Sequence, residues 1–133
     1  RGLSYPAALE FALKMKETSY VHAEGFAGGE LKHGVIALVE KGTPVVVLAP
    51  LDETYDEIIS NAQEVSARGG YIIGVSPKPH PVFDYYFNVD DVGDATLILE
   101  IVVAQLLAYY TALAKGLKDP DKPRNLAKSV TVK

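Results

Sequence analysis

Thr43–Val75 reads TPVVVLAPLDETYDEIISNAQEVSARGGYIIGV, and this stretch sets the fold class. Thr43–Pro50 is a continuous Val/Leu run without alternation, the pattern of a strand covered on both faces. Asp52 stands where the next helix needs a cap, acidic residues fill its first turns, and Tyr55, Ile58, Ile59, Ala62 and Val65 form its buried stripe. Arg68 and Gly69-Gly70 end that helix, and Tyr71–Val75 is a second buried strand. Strand, helix and strand within about thirty residues predict a right-handed βαβ unit in a parallel sheet. The chain is therefore α/β, a parallel sheet flanked by helices.

Downstream, Ser76–Pro81 is a proline-rich loop and Phe83–Val89 a third, weaker strand. Asp94 occupies an N-cap position and Gly116 a C-terminal one, bounding a helix over Ala95–Ala114, ATLILEIVVAQLLAYYTALA. Its length and apolarity suit a membrane span, but Glu100 in its middle and the amphipathic character of the rest argue for a buried or subunit-interface helix. A helix apolar on nearly all sides needs more cover than one small sheet supplies, which points to an oligomer. Beyond Gly116, KDPDKPRNLAKSVTVK is proline-spaced and polar, an extended tail.

Upstream, Val35–Glu40 is a short apolar run with the character of a helix end, closed by Lys41-Gly42. Pro6 to about Tyr20 is helical, with Pro6 in the first turn and Leu9, Ala12, Leu13 and Tyr20 as its apolar stripe. Glu10, Lys14 and Glu17 recur at i, i+4 and i+7 and project within roughly 40° of one another. Alone they read as a surface ion-pair ladder. Soon afterwards Gly25, Gly28 and Gly29 turn the chain sharply and present Glu30, Lys32 and His33 on one ledge.

With 133 residues the chain is one domain, long enough to bury roughly two-thirds of its unfolded surface. A net charge of −4 removes any electrostatic reason to expect a nucleic-acid partner. There is no cysteine, which excludes a disulfide framework, a thiolate zinc site and a cysteine nucleophile, and fits a reducing, cytoplasmic compartment. RGLSYP is no signal peptide and no methionine opens the chain, so it reads as a piece of something longer. His22-Ala23-Glu24 matches the HxE of zinc deaminases, but their cysteine pair is absent. His22, His33 and His80 are not at metal-ligand spacing, and no GxGxxG, Walker loop or GxSxG is present, so neither metal nor cofactor is expected.

ALEFALKMKETSYVHAEGFAGGELKHG and PRNLAKSVTV together resemble the C-terminal half of the isomerase region of the glucosamine-6-phosphate synthases, the glutamine:fructose-6-phosphate aminotransferases. That region consists of two sugar isomerase (SIS) domains, and the resemblance covers essentially the whole chain. It implies a flavodoxin-like or Rossmann-like SIS domain over residues 1–116, lacking its first strand, and a tail over 117–133 with a catalytic lysine. The first SIS domain, with its phosphate-binding loop, and the glutaminase domain would lie elsewhere in the parent chain. The resemblance makes Glu17 the carboxylate that moves a proton between C1 and C2 of the sugar, a task for a half-buried base beside a carbon acid. Lys14 is implied to help move hydroxyl protons, and His33 to open the sugar ring in a neighbouring subunit's site, as histidine can near pH 7. Lys128 is implied to form a Schiff base with the open-chain ketose, and Glu10 and Lys32 to support the site.

Three functions follow from these residues. The first is conversion of fructose 6-phosphate and glutamine-derived ammonia to glucosamine 6-phosphate in a homodimer. The second is a sugar-phosphate isomerase or deaminase without a glutaminase. The third is a non-catalytic phosphosugar sensor, which would have no use for Lys128.

Overall fold

A computed structural model describes residues 1–125; Lys128 and the rest of 126–133 lie outside the described residues. Helix α1 (Ser4–Ser19) leads into two 3₁₀ turns, Gly28–His33 and Val35–Leu38. Strand β1 (Pro44–Leu48), helix α2 (Tyr55–Ser66), strand β2 (Tyr71–Ser76), strand β3 (Tyr85–Asn88) and helix α3 (Thr96–Ala114) follow. The three strands form a parallel sheet in the order β1-β2-β3. Pro44 pairs with Tyr71 and Leu48 with Val75; Ile73 pairs with Tyr85 and Ser76 with Asn88. The α/β class and the βαβ unit expected from Thr43–Val75 are thus present.

The strand alternation divides the core into two layers. Val46 and Leu48 of β1, with Val75 and Phe87, pack against Ala7 and Phe11 of α1 and Ala104 of α3. Val45 and Val47 point the other way and join Ile72, Ile58, Ile59, Ala62 and Val65, the stripe expected of α2. Leu31, Ile36 and Val39 from the 3₁₀ turns complete that second layer. Gly74 is needed here, because a Cβ would stand 2.4 Å from the Phe83 ring that caps the layer.

Several local expectations are corrected. Of the α1 stripe Leu9, Ala12, Leu13 and Tyr20, only Ala12 is buried: Leu9 and Leu13 are 45% and 40% exposed, and the buried set is Ser4, Ala7, Phe11, Ala12 and Ser19. Apolar residues occupy two sides of this helix, and α3 takes the side whose small residues allow close approach. Asp52 does not cap α2 directly. Its Oδ1 accepts from the Thr54 amide at 2.8 Å and the Thr54 hydroxyl at 2.7 Å, building the turn before the helix. Asp94 makes no cap either; Thr96 Oγ1 accepts from the Val92 amide at 3.1 Å at the start of α3. Gly116 ends that helix with φ +75°, and the Leu117 amide reaches back to the Ala112 carbonyl. Val35–Leu38 is a 3₁₀ turn, not the end of an α-helix.

Gly93–Ala114, with mean hydropathy 1.8, is long and apolar enough to cross a membrane by length and composition. In the fold one side of it, Thr96, Glu100, Ala104, Ala108 and Ala112, is buried at intervals of four. The opposite side leaves Ile98, Val102, Leu106 and Tyr110 between 44% and 62% exposed.

Candidate functional site

The ladder on α1 forms as its spacing requires. Lys14 Nζ donates to Glu17 Oε2 at 2.8 Å and pairs with Glu10 Oε1 at 3.3 Å. The three side chains keep about a third of their surface, at 36%, 28% and 29% for Glu10, Lys14 and Glu17. Such pairs contribute only about 0.2–1 kcal/mol to stability. Their consequence is chemical. The hydrogen bond that Lys14 donates to Glu17, with that to Glu10, raises the Lys14 pKa above its usual value, so the ammonium persists throughout the neutral range.

The second cluster sits on the first 3₁₀ turn. His33 Nδ1 lies 3.1 Å from Glu30 Oε2, and the two side chains are 67% and 68% exposed. Lys32 is exposed on the same turn. The chain reaches this ledge by passing close over α1 at Gly25, where a Cβ would be 2.7 Å from the Ala8 carbonyl oxygen. The ledge then packs through Leu31 onto the α2 layer.

Glu10, Lys14 and Glu17 are brought together, and so are Glu30 and His33, but the two groups are not. Helix α1 covers one face of the sheet and the ledge packs on the other. Among the described residues no hydrogen bond or ion pair joins them. A shallow cleft of about 350 Å³ beside Glu17 is lined by Lys16, Tyr20, Arg124 and Asn125, so the start of the tail comes to the C-terminal end of α1. Lys128 itself lies outside the described residues. His22 Nε2 is 3.9 Å from Glu24 Oε1, both largely exposed, and no group of three His, Asp or Glu able to hold a metal occurs among the described residues.

Two features escaped the sequence patterns. Glu100 is 1% exposed on α3 and accepts a hydrogen bond from Ser4 Oγ at 3.1 Å, while its Oε2 has no partner. Burial, reinforced by nearby Asp52, pushes its carboxyl up to about 7, and the hydrogen bond from Ser4 pulls the other way. The lone acid in an apolar helix was the available signal, but its Ser4 partner is 96 residues away. The other feature is Lys115 at the end of α3, whose Nζ donates to the Ser19 carbonyl at 2.7 Å and the Tyr20 carbonyl at 3.2 Å. A cation on the last carbonyls of a helix is favourable by about 0.3–1 kcal/mol.

A parallel sheet with helices on both faces, carrying an amine held between two carboxylates on one helix, defines a layered α/β protein. The SIS domain model matches residues 1–115, and the chain belongs to the SIS-domain family. It is 56% identical over 99% of its length to the Methanosarcina acetivorans glutamine--fructose-6-phosphate aminotransferase [isomerizing], and 53% identical to the Pyrococcus horikoshii protein of the same name. The chain spans 22% of the length of each of these relatives. Among solved structures, the C-terminal domain of glucosamine-fructose-6-phosphate aminotransferase from Francisella tularensis superposes with a TM-score of 0.82 and 44% identity, covering 92% of this chain and 36% of that one. Glucosamine-6-phosphate deaminase from Thermotoga maritima gives 0.73 and 29%, covering 96% and 37%.

Proposed function

We propose that this chain is the C-terminal half of the isomerase region of a glutamine--fructose-6-phosphate aminotransferase, making glucosamine 6-phosphate from fructose 6-phosphate and glutamine-derived ammonia. The observation that carries it is the Glu10–Lys14–Glu17 ladder, standing beside the tail in a chain about half identical to relatives of that name. In this mechanism Lys128 attacks the C2 carbonyl of the open-chain ketose and expels water, giving an imine. Ammonia then replaces the lysine at C2. Glu17 takes the C1 proton and returns it at C2 while the C1 hydroxyl gives up a proton and the imine nitrogen gains one, leaving the aldose amine and an unchanged enzyme. Lys14, held as an ammonium, orients Glu17 and donates to the sugar hydroxyl oxygens. His33 opens the ring, and Glu10 and Lys32 support the two clusters.

The separation of the ladder and the ledge onto opposite faces of the sheet supports a homodimer in which His33 serves the neighbouring subunit's site. The exposed apolar side of α3 is the surface such an assembly would cover. Residues 1–116 would be the second SIS domain without its first strand, and 117–133 the catalytic tail. Among the described residues β1 has a strand neighbour on one side alone, which supports this. An apolar groove of about 640 Å³ runs along it, lined by Val21, Ala23, Val45, Phe11 and Ile58 among others. The first SIS domain and the glutaminase would lie in the parent chain, in the cytoplasm, and the isolated 133 residues would be inactive on fructose 6-phosphate. No nucleic acid, membrane, metal or cofactor enters this mechanism.

The test is to incubate the full-length parent with fructose 6-phosphate, reduce with borohydride and map the adduct. Attachment at Lys128 is the expected result. Binding of the phosphosugar without any adduct would sink the mechanism and favour a sensor. The likeness to the Thermotoga deaminase favours one second reading, a glutaminase-free isomerase or deaminase. Release of ammonia from glucosamine 6-phosphate, with no synthesis from glutamine, would establish it.

A further inference from the structure

Tyr20 stands out among the described residues. It ends α1 in the left-handed region, with φ 54° and ψ 36°, where a bulky side chain is uncommon and glycine or asparagine is usual. A strained position held by its surroundings is a reason to ask what the side chain does. Its backbone is fixed from both sides. The Tyr20 amide donates to the Met15 carbonyl, while Lys115 bridges the carbonyls of Ser19 and Tyr20.

The side chain so oriented holds a single residue of the tail. Arg124 donates its backbone N–H to the Tyr20 hydroxyl at 2.7 Å, and its guanidinium lies 4.3 Å from the centre of the Tyr20 ring. Residues 118–125 have no helix or strand of their own. Among the described residues, the hydrogen bond and the ring contact that tie 118–125 to the body of the chain both end on Tyr20. Glu17 is one turn away on the same helix and shares the cleft with Tyr20, Arg124 and Asn125.

We propose that Tyr20 is a latch for the tail: a positioning residue that docks Arg124 at the end of α1 and so limits where the chain beyond it can reach. Resting on the function proposed above, this keeps Lys128 within range of the Glu17 carboxylate. Lys128 follows Arg124 by four positions in the sequence, a tether of at most about 14 Å. An untethered tail would sample a far larger volume, and imine formation would slow with the fall in effective concentration. One residue offering both an acceptor and a π-face holds the backbone and the side chain of Arg124 together.

The test uses the full-length protein with Tyr20→Ala, Tyr20→Phe and Arg124→Ala, the last changing only a tail residue and sparing the helix end. Two readouts are taken: amide exchange over residues 117–125, and the rate of borohydride-trapped adduct at Lys128 with fructose 6-phosphate affinity measured beside it. Tyr20→Ala should speed tail exchange by about 10-fold or more. It should also slow adduct formation about 10- to 100-fold at unchanged sugar affinity. Tyr20→Phe should fall between it and wild type, because the ring still stacks. Arg124→Ala should weaken the latch and add little when combined with Tyr20→Ala. Unchanged tail exchange in both Tyr20→Ala and Arg124→Ala would overturn the latch. Faster exchange with an unchanged adduct rate would overturn its positioning role. A wild-type protein that forms no Lys128 adduct would overturn the site reading, while faster exchange in the variants would still support the latch.

Discussion

The two charged clusters of this chain have similar chemistry and opposite placement. Glu10, Lys14 and Glu17 are half-buried on α1, in the layer that α1 shares with α3. Glu30 and His33 are two-thirds exposed on a 3₁₀ turn, in the layer built on α2. A ladder on a regular helix has its geometry set by the helix. A pair on an exposed turn has its geometry set by whatever packs against it. The comparison teaches that the ladder is preorganised by its helix, while the Glu30–His33 pair stands open to solvent on its turn.

The largest expected effect breaks the preorganised half. Glu17→Gln keeps the hydrogen bond from Lys14 but removes the base, and should lower kcat of the full-length enzyme by about 10²- to 10⁴-fold with the trapped Lys128 imine still forming. His33→Ala should lower activity by about 10²-fold through ring opening, and much less on a substrate already in open-chain form. Mixing the Glu17→Gln and His33→Ala proteins under subunit exchange sharpens the contrast. If the clusters meet across a two-fold interface, about a quarter of wild-type activity returns, since one site in each mixed dimer is intact. No recovery in proven mixed dimers would place both clusters in one subunit's site and refute the division drawn here.

Lys14→Met should cost roughly 10-fold in kcat, less than loss of the base, because it removes orientation and a charge-assisted hydrogen bond. The remaining effect is on stability rather than on rate and centres on the α1–α3 layer. Glu100 is raised from its ordinary 4.5 to about 7 in the fold. The folded state therefore binds its proton more tightly than the unfolded state does. Its contribution is greatest below pH 4.5, declines as pH rises towards 7 and is flat above. The full swing is on the order of 3 kcal/mol. Amide exchange of α3 should quicken over this window in wild type and lose that dependence in Glu100→Gln, while α2 should respond only to global opening.

How much was legible follows from what each pattern encodes. The strands and α2 were readable because each buries a periodic set against neighbours close in sequence: Val45 and Val47 on one side, Ile58, Ala62 and Val65 on the other. The ladder was readable because its residues lie within two turns of one helix. On α1 the same reasoning failed in part. Hydropathy favoured Leu9 and Leu13 for the core beside Ala12, yet the packing is made by Ala7 and Phe11 in a layer with a helix more than 80 residues away. Tyr20 was assigned to the core stripe and instead faces the tail, since a left-handed turn at the helix end redirects its side chain.

By itself, then, the sequence determined the α/β class, the βαβ unit, the buried face of α2 and the Glu10–Lys14–Glu17 alignment, all consequences of local periodicity. Only the tertiary structure decided which sides of α1 and α3 meet, that Ser4 and Glu100 share a buried hydrogen bond, and that the ladder and the His33 ledge lie on opposite faces of the sheet. It also decided that Lys115 and Arg124 converge on the end of α1. Those outcomes depend on helix-to-helix approach and chain return over about 100 residues, and local periodicity carries no information about either.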